Sequence, residues 1–140
     1  MSEQRQSHLV FACGQSWFAI PADAASEVVS FPELTRVPGA PPHLLGVFAH
    51  RGEVIPVVDL AVLVGTQAES TQRAVLLRLP RGSLALTANK VAGVSPVQGK
   101  LEPLGGNGVR MHLRGPARTA RSEVAVIDPE GLFDFLSQGG

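Results

Sequence analysis

The side chains that most often bind metals are few and scattered in this sequence. Its four histidines, His8, His43, His50 and His112, follow none of the short spacings that place two ligands on one metal ion. Cys13 is the only cysteine, so the chain offers neither an internal disulfide nor a second thiolate for a zinc site. These residues predict no metal centre, and Cys13 is interpreted as a small buried apolar residue.

A glycine-containing segment, residues 93–100, has some features of a nucleotide phosphate loop. It places five residues between its glycines where that motif has four, and Leu101 stands where a Ser or Thr must reach magnesium. Carboxylates such as Asp59 and Asp128 lie at the ends of predicted strands, where they more often stabilise turns than transfer protons. The sequence therefore predicts a protein that is not an enzyme and uses no cofactor.

A basic stretch from Arg110 to Arg121 raises the question of nucleic-acid binding. It holds four arginines and His112 but no Phe, Tyr or Trp that could stack on a base. The whole chain has twelve basic and twelve acidic side chains, so no global field attracts a polyanion. We predict no nucleic-acid binding; the stretch is either a solvated face or a surface for an acidic protein.

Charge is nevertheless distributed unevenly along the chain. Residues 1–70 carry three basic and seven acidic side chains, whereas residues 71–140 carry nine and five, giving net charges of −4 and +4. This polarity suggests oriented docking against other proteins, or else chance scatter over a solvated surface. No apolar run approaches the roughly 18 residues that span a bilayer, and the first eight residues are polar. We therefore expect no membrane insertion and a cytoplasmic location.

Turn residues divide the chain into short apolar segments that predict a mainly β protein. Short helices are expected at about residues 22–27, 60–64 and 129–136, and the longest irregular loop at residues 98–111. The length of 140 residues suits one compact domain.

Two pairs of similar segments indicate an internal repeat. Residues 51–59, RGEVIPVVD, are similar to residues 121–128, RSEVAVID, and residues 16–20 are similar to residues 83–87. The separations are 70 and 67 positions, which is about half the chain. The repeat predicts two similar small β-barrels, because closure of a sheet into a barrel removes its unpaired edges.

The segment Leu45–Leu60, LGVFAHRGEVIPVVDL, resembles the CheW-like domain, which is the adaptor fold of bacterial chemosensory arrays. Shorter similarities at residues 9–11, 18–21, 26–29 and 38–42 extend the resemblance over nearly the whole chain. It implies a single domain of residues 1–140 with two intertwined SH3-like β-barrels and short helices. The ranges expected are about 15–70 plus a swapped element for the first barrel, and about 74–128 with the C-terminal helix for the second.

The resemblance also implies a function. Such adaptors couple the cytoplasmic tips of methyl-accepting chemoreceptors to the regulatory domain of a CheA-type histidine kinase, and they are recruited to receptor clusters. Arg51 and Glu27 match residues tied to partner binding, and nearby apolar residues would supply barrel core or interface. The partner-binding set implied is Arg51, Glu27, Val28, Val54, Ile55 and Val57.

The sequence departs from the family pattern in two places. Ala49 and His50 precede the Arg-Gly pair, where the family usually has Asn-Leu. Residues 88–91 read ANKV where members often have VDEV, so two acids are replaced by a neutral and a basic residue. These departures leave open an accessory paralogue that binds receptors but couples weakly or not at all to the kinase. Arg51 could also be structural, through an ion pair with Glu27 or Glu53.

Overall fold

The computed structural model describes residues 6–31 and 33–138; residues 1–5 and 139–140 of the expected domain lie outside this range, as does Pro32. The described chain forms two five-stranded sheets with short helices, which confirms the prediction of a mainly β fold. Its strands are β1 (Gln6–Cys13), β2 (Ser16–Pro21), β3 (Ala25–Ser30), β4 (Leu44–His50), β5 (Glu53–Val58), β6 (Arg73–Leu79), β7 (Gly82–Thr87), β8 (Lys90–Pro103), β9 (Leu113–Arg118) and β10 (Glu123–Ile127). Its helices are α1 (Leu60–Val64), a 3-10 turn (Gly108–His112) and α2 (Pro129–Ser137).

The two sheets have the same topology. One closes into a barrel in the order β1-β2-β10-β9-β8, and the other has the order β3-β6-β7-β5-β4. We call them the closed barrel and the second sheet. Each contains one parallel pair, β2 with β10 and β7 with β5, and antiparallel pairs elsewhere. Every strand of one sheet therefore has a counterpart in the other, in agreement with the repeat of residues 51–59 and 121–128.

The two sheets do not meet at a single point in the chain near residue 70; the ranges expected were about 15–70 plus a swapped element, and about 74–128 with the C-terminal helix. The closed barrel combines the first hairpin, residues 6–21, with strands from residues 90–127. The second sheet combines strands from residues 25–58 with the hairpin of residues 73–87. Each half of the chain thus gives its first hairpin to the sheet built mainly by the other half.

Burial explains this exchange, because the first hairpins are apolar on both faces. Val10 and Ala19 point into the closed barrel, whereas Phe11 and Phe18 belong to a core between the two sheets. A strand of this kind is most stable where two cores meet. Turn signals locate such a hairpin in a sequence but do not specify which distant strand it pairs with.

Three local expectations can be compared with the structure. The helices expected at residues 60–64 and 129–136 are confirmed as α1 and α2. The helix expected at residues 22–27 is wrong, because residues 25–30 form β3 and pair with β6. The β-branched Val28 and Val29 favour a strand, and pairing along a neighbouring strand outweighs one turn of helix.

The irregular loop expected at residues 98–111 is also largely wrong. Strand β8 continues to Pro103 and pairs with β9, with a bulge between Gly99 and Glu102 that accommodates the irregular sequence. This pairing closes the barrel. In the second sheet, β3 and β4 are not neighbours; among the described residues of the segment after β3, an isolated bridge between Thr35 and Val47 links it to β4. We call the gap between β3 and β4 the seam.

Candidate functional site

The turn between β4 and β5 places an arginine in an unfavourable backbone conformation. His50 pairs with Glu53, and the two residues between them, Arg51 and Gly52, have φ angles of 52° and 79°. A two-residue hairpin turn with both angles positive favours Asn-Gly, and a left-handed conformation costs most other residues about 1–2 kcal/mol. The backbone conformation of the turn therefore gives no reason for an arginine at position 51. The side chain of Arg51 is 72% exposed.

Glu27 reaches across the seam toward this turn. It lies on β3, and its carboxylate accepts a hydrogen bond from His50 Nε2 at 2.6 Å. The other carboxylate oxygen lies 3.5 Å from Arg51 Nη1. One carboxylate thus serves two donor groups, and the guanidinium of Arg51 retains donors that face solvent. We call Glu27, His50 and Arg51 the seam cluster.

His50 is the member of this cluster that sequence reasoning missed. Its side chain is only 21% exposed, and its ring centroid lies 5.9 Å from that of Phe48. Packing on Phe48 orients the imidazole toward Glu27, which is 23 positions away in sequence. No local spacing signals this contact, because it forms only when β3 and β4 are brought to opposite sides of the seam.

The four predicted apolar site residues divide into two kinds. Val54 and Val28 are exposed, at 68% and 38% of their surface. Ile55 and Val57 are fully buried in the core of the second sheet and present no surface to a partner. Alternation along β5 explains the difference, since successive side chains point to opposite faces of a strand. The structure thus brings Arg51 and Glu27 together. Val54 lies on β5, just after the turn that carries Arg51, and Val28 follows Glu27 on β3.

Glu53 does not pair with Arg51, which removes one of the two structural ion pairs considered for that arginine. Its carboxylate instead accepts hydrogen bonds from Arg78 Nη1 at 2.7 Å and from Ser83 Oγ at 2.9 Å. The hydrogen bond from Arg78, helped by that from Ser83, lowers the pKa of Glu53 below its usual value. Glu53 therefore connects β5 to the β6-β7 hairpin. Among the described residues, the carboxylate that pairs with Arg51 is that of Glu27, which also contacts His50.

Among residues 6–31 and 33–138, no three His, Cys, Asp or Glu side chains are grouped closely enough to hold a metal ion. Within the same part of the chain, no helix is both long and apolar enough to cross a membrane. What the structure does offer is a charged cluster on strands that also carry the exposed Val28 and Val54, and such side chains are found in protein-binding surfaces.

Comparison with known proteins identifies the class. The family described as "CheW-like domain" matches residues 7–136. Protein FrzA of Myxococcus xanthus is 32% identical over 127 residues, which cover 86% of this chain and 79% of that protein. A probable chemotaxis protein CheW of Rhizobium etli is 26% identical over 132 residues, covering 89% and 85%. The crystal structure of the scaffolding protein TtCheW from Thermoanaerobacter tengcongensis has a TM-score of 0.76 at 21% identity and covers 89% of both chains, which supports the fold.

These similarities place the chain among the non-catalytic scaffold and adaptor proteins of chemotaxis, which confirms the prediction that it is not an enzyme. The chain belongs to the CheW-like domain family.

Proposed function

We propose that this protein couples the cytoplasmic tips of methyl-accepting chemoreceptors to the regulatory domain of a CheA-type histidine kinase, within receptor clusters in the cytoplasm. The seam cluster, with Val28 and Val54 beside it, would contact these partners. Family membership supports the general role. The observation that carries the site is the exposed guanidinium of Arg51, held at a turn position that favours other residues.

The physical properties of the seam cluster suit recognition of another protein. Arginine is enriched at the residues that dominate binding energy, because its planar group makes several directed hydrogen bonds and also stacks on apolar surface. Glu27, itself hydrogen-bonded to His50, restricts the orientation of this side chain before a partner arrives, which lowers the entropic cost of binding. Val54 supplies apolar area that a partner can bury.

The substitution Arg51→Asn tests the site and separates binding from stability. Asparagine is favoured at a left-handed turn position, so we expect a free energy of unfolding equal to or up to about 1 kcal/mol above that of the original protein. We expect capture of receptor fragments to fall at least tenfold, equivalent to about 1.4 kcal/mol. Binding is measured by capture on immobilised receptor cytoplasmic fragments and on the kinase regulatory domain. Urea denaturation measures the free energy of unfolding.

The matched control is Arg73→Asn. Arg73 is an exposed arginine on β6, and the change removes the same charge away from the seam cluster. It should leave both captures within about twofold, since most surface substitutions have small effects. Equal binding by Arg51→Asn and the original protein would show that the seam cluster is not the site. Capture of receptor fragments without capture of the kinase domain would identify the accessory paralogue instead.

A further inference from the structure

The mouth of the closed barrel forms a groove beside the turn between β9 and β10. Its volume is about 450 Å³, and it is lined by side chains from β1, β2 and β8 and by the turn itself. Val94 is 65% exposed there, which is unusual for a residue beside the barrel core. We call this the mouth groove; its principal residues are Val10, Trp17, Ala92, Val94 and Arg121.

The strand register shows that the mouth groove is the counterpart of the seam cluster. Strand β8 pairs with β1 as β3 pairs with β6, and both ladders contain a bulge at the same place. The register pairs are Val94 with Leu9 and Gly93 with Val10 in the closed barrel, and Val28 with Val75 and Glu27 with Leu76 in the second sheet. Val94 therefore corresponds to Val28, and Gly93 corresponds to Glu27.

The turns correspond in the same way. Thr119 N donates to Ser122 O at 2.8 Å, enclosing Ala120 and Arg121 just as the His50–Glu53 pair encloses the turn of the second sheet. Each turn thus carries one exposed arginine at the mouth of its sheet.

The two arginines differ in their carboxylate partners. Arg51 has Glu27 at 3.5 Å, but no carboxylate of residues 6–31 or 33–138 lies within 4 Å of Arg121. Gly93, the counterpart of Glu27, has no side chain, and no other atom lies within 4 Å of the place its Cβ would take. The mouth groove therefore has an arginine and, in Val94, the counterpart of Val28, but it lacks a counterpart of the Glu27 carboxylate.

We propose that the mouth groove binds an acidic segment of a protein partner in which a carboxylate adjoins an apolar side chain. The partner's carboxylate occupies the space left by Gly93 and accepts hydrogen bonds from Arg121. Its apolar neighbour packs on Val94 and Trp17, where it covers exposed surface. Arg118, exposed on β9 beside an adjoining cavity, adds positive charge at the rim. This assigns the basic stretch that ends at Arg121 to an acidic protein, and it does not depend on the function proposed for the seam cluster.

Trp17 provides a direct measurement, because it is the only tryptophan of the chain and lines the groove. The probes are two blocked peptides without aromatic residues, acetyl-Ser-Glu-Leu-Ser-amide and the same peptide with Gln in place of Glu. We expect the Glu peptide to change the emission of Trp17 saturably and to bind about fivefold more tightly than the Gln peptide, in line with one partly exposed ion pair. Raising the salt concentration should reduce that preference, because exposed charges are screened.

Variants of the full chain locate the binding. Arg121→Gln should abolish the preference for the Glu peptide, and Val94→Glu should weaken binding of both peptides by placing a carboxylate inside the groove. Arg73→Gln on β6 is the control of equal charge and should retain the preference. Urea denaturation of each variant confirms that the fold is intact.

Three results would overturn the proposal. The first is an unchanged Trp17 emission with both peptides up to about 10 mM, which corresponds to less than about 3 kcal/mol of binding energy. The second is equal affinity for the Glu and Gln peptides. The third is an equal loss of preference in Arg73→Gln and Arg121→Gln, which would indicate attraction by net charge rather than binding in the groove.

Discussion

The closed barrel and the second sheet share a strand order but are closed by different means. In the closed barrel, β8 and β9 are in register at four residue pairs, from Gln98 with Arg118 to Pro103 with Arg114. In the second sheet, the equivalent connection is a single bridge, in which Thr35 and Val47 exchange two hydrogen bonds of 2.9 Å. The segment after β3 is rich in proline, which has no backbone N–H to donate to a ladder.

The closed barrel is closed by backbone hydrogen bonds between strands, whereas side chains span the seam in the second sheet. A backbone ladder is made by main-chain groups that are already paired with each other, so it offers little that a partner could replace. The seam of the second sheet is spanned instead by the carboxylate of Glu27, which contacts His50 and Arg51. Side chains can exchange one hydrogen-bonding partner for another, so the less completely closed sheet is the better binding surface.

Two glycine substitutions, one in each sheet, test this comparison, and one of them should change the free energy of unfolding more than any other variant. A Cβ at Gly99 would lie 2.2 Å from the carbonyl oxygen of Pro116, inside the ladder, and one at Gly46 would lie 2.7 Å from that of Thr35. Both glycines also have positive φ angles that L residues rarely adopt, 142° and 154°. We expect Gly99→Ala to lower the free energy of unfolding by about 3 kcal/mol and Gly46→Ala by about half as much, because a single bridge can shift more easily than a ladder.

Urea denaturation of the two variants measures this order. Gly39→Ala is the control, since φ at Gly39 is also positive but its added Cβ would meet no atom within 4 Å. It should cost about 1 kcal/mol, the contribution of the backbone conformation alone. Equal losses for Gly99→Ala and Gly46→Ala would mean that the seam is as rigid as the ladder.

The N-cap aspartates of the two helices also differ between the sheets. Asp59 is buried, and its Oδ1 accepts hydrogen bonds from Ala61 N at 2.9 Å and from the thiol of Cys13 at 3.5 Å. Burial raises the pKa of the Cys13 thiol, which keeps it protonated as a donor. Its counterpart Asp128 is more exposed and caps α2 through Gly131 N at 3.2 Å.

We expect Asp59→Ala to cost about 2 kcal/mol and Asp128→Ala about 1 kcal/mol, because only the former leaves buried donors without an acceptor. Thermal or urea denaturation would show the difference. The matched variants Asp59→Asn and Asp128→Asn keep a capping oxygen and should recover most of each loss. An Asp128→Ala variant that proved the less stable of the two would contradict this account of the two caps.

The sequence allowed the β-rich fold, the repeat and the two capped helices to be predicted, because each depends on local patterns. Residues 51–59 and 121–128 are similar since each forms a buried strand followed by a capping aspartate. The exchange of first hairpins was not predictable in this way. Pairing of β2 with β10 joins residues more than 100 positions apart, and it is determined by burial on both faces.

The candidate site was predictable only in part, for the same reason. Arg51, Glu27 and Val54 were all found through resemblance, which left open whether Val54 belongs to the barrel core or to an interface. His50 was considered only as a metal ligand and as a departure from the family pattern, although it makes the shorter contact with Glu27. Ile55 could not be separated from Val54 without knowing which face of β5 is buried.

The smallest expected effect distinguishes the two hairpins that carry the arginine turns. Glu53 follows the turn of the second sheet and binds Arg78 and Ser83, whereas Ser122, which ends the hydrogen-bonded turn of the closed barrel, has no charge. The hydrogen bonds from Arg78 and Ser83 lower the pKa of Glu53 in the folded protein. A carboxyl group with a lowered folded pKa stabilises the protein above its unfolded pKa, and this stabilisation is lost as the pH falls through the folded pKa.

Because Glu53 is solvent-exposed, we expect this contribution to be small and sensitive to salt. The stability difference between the original protein and Glu53→Gln should therefore be largest near neutral pH and should shrink in acid, below the usual pKa range of a glutamate. Glu123→Gln, which removes an exposed carboxylate from β10 of the closed barrel, is the control for the loss of one negative charge. Urea denaturation of the three proteins at neutral and acidic pH makes the comparison. A stability difference for Glu53→Gln that stayed constant with pH would contradict this account. It would show that the Glu53–Arg78 ion pair does not stabilise the contact between the β4-β5 hairpin and the β6-β7 hairpin.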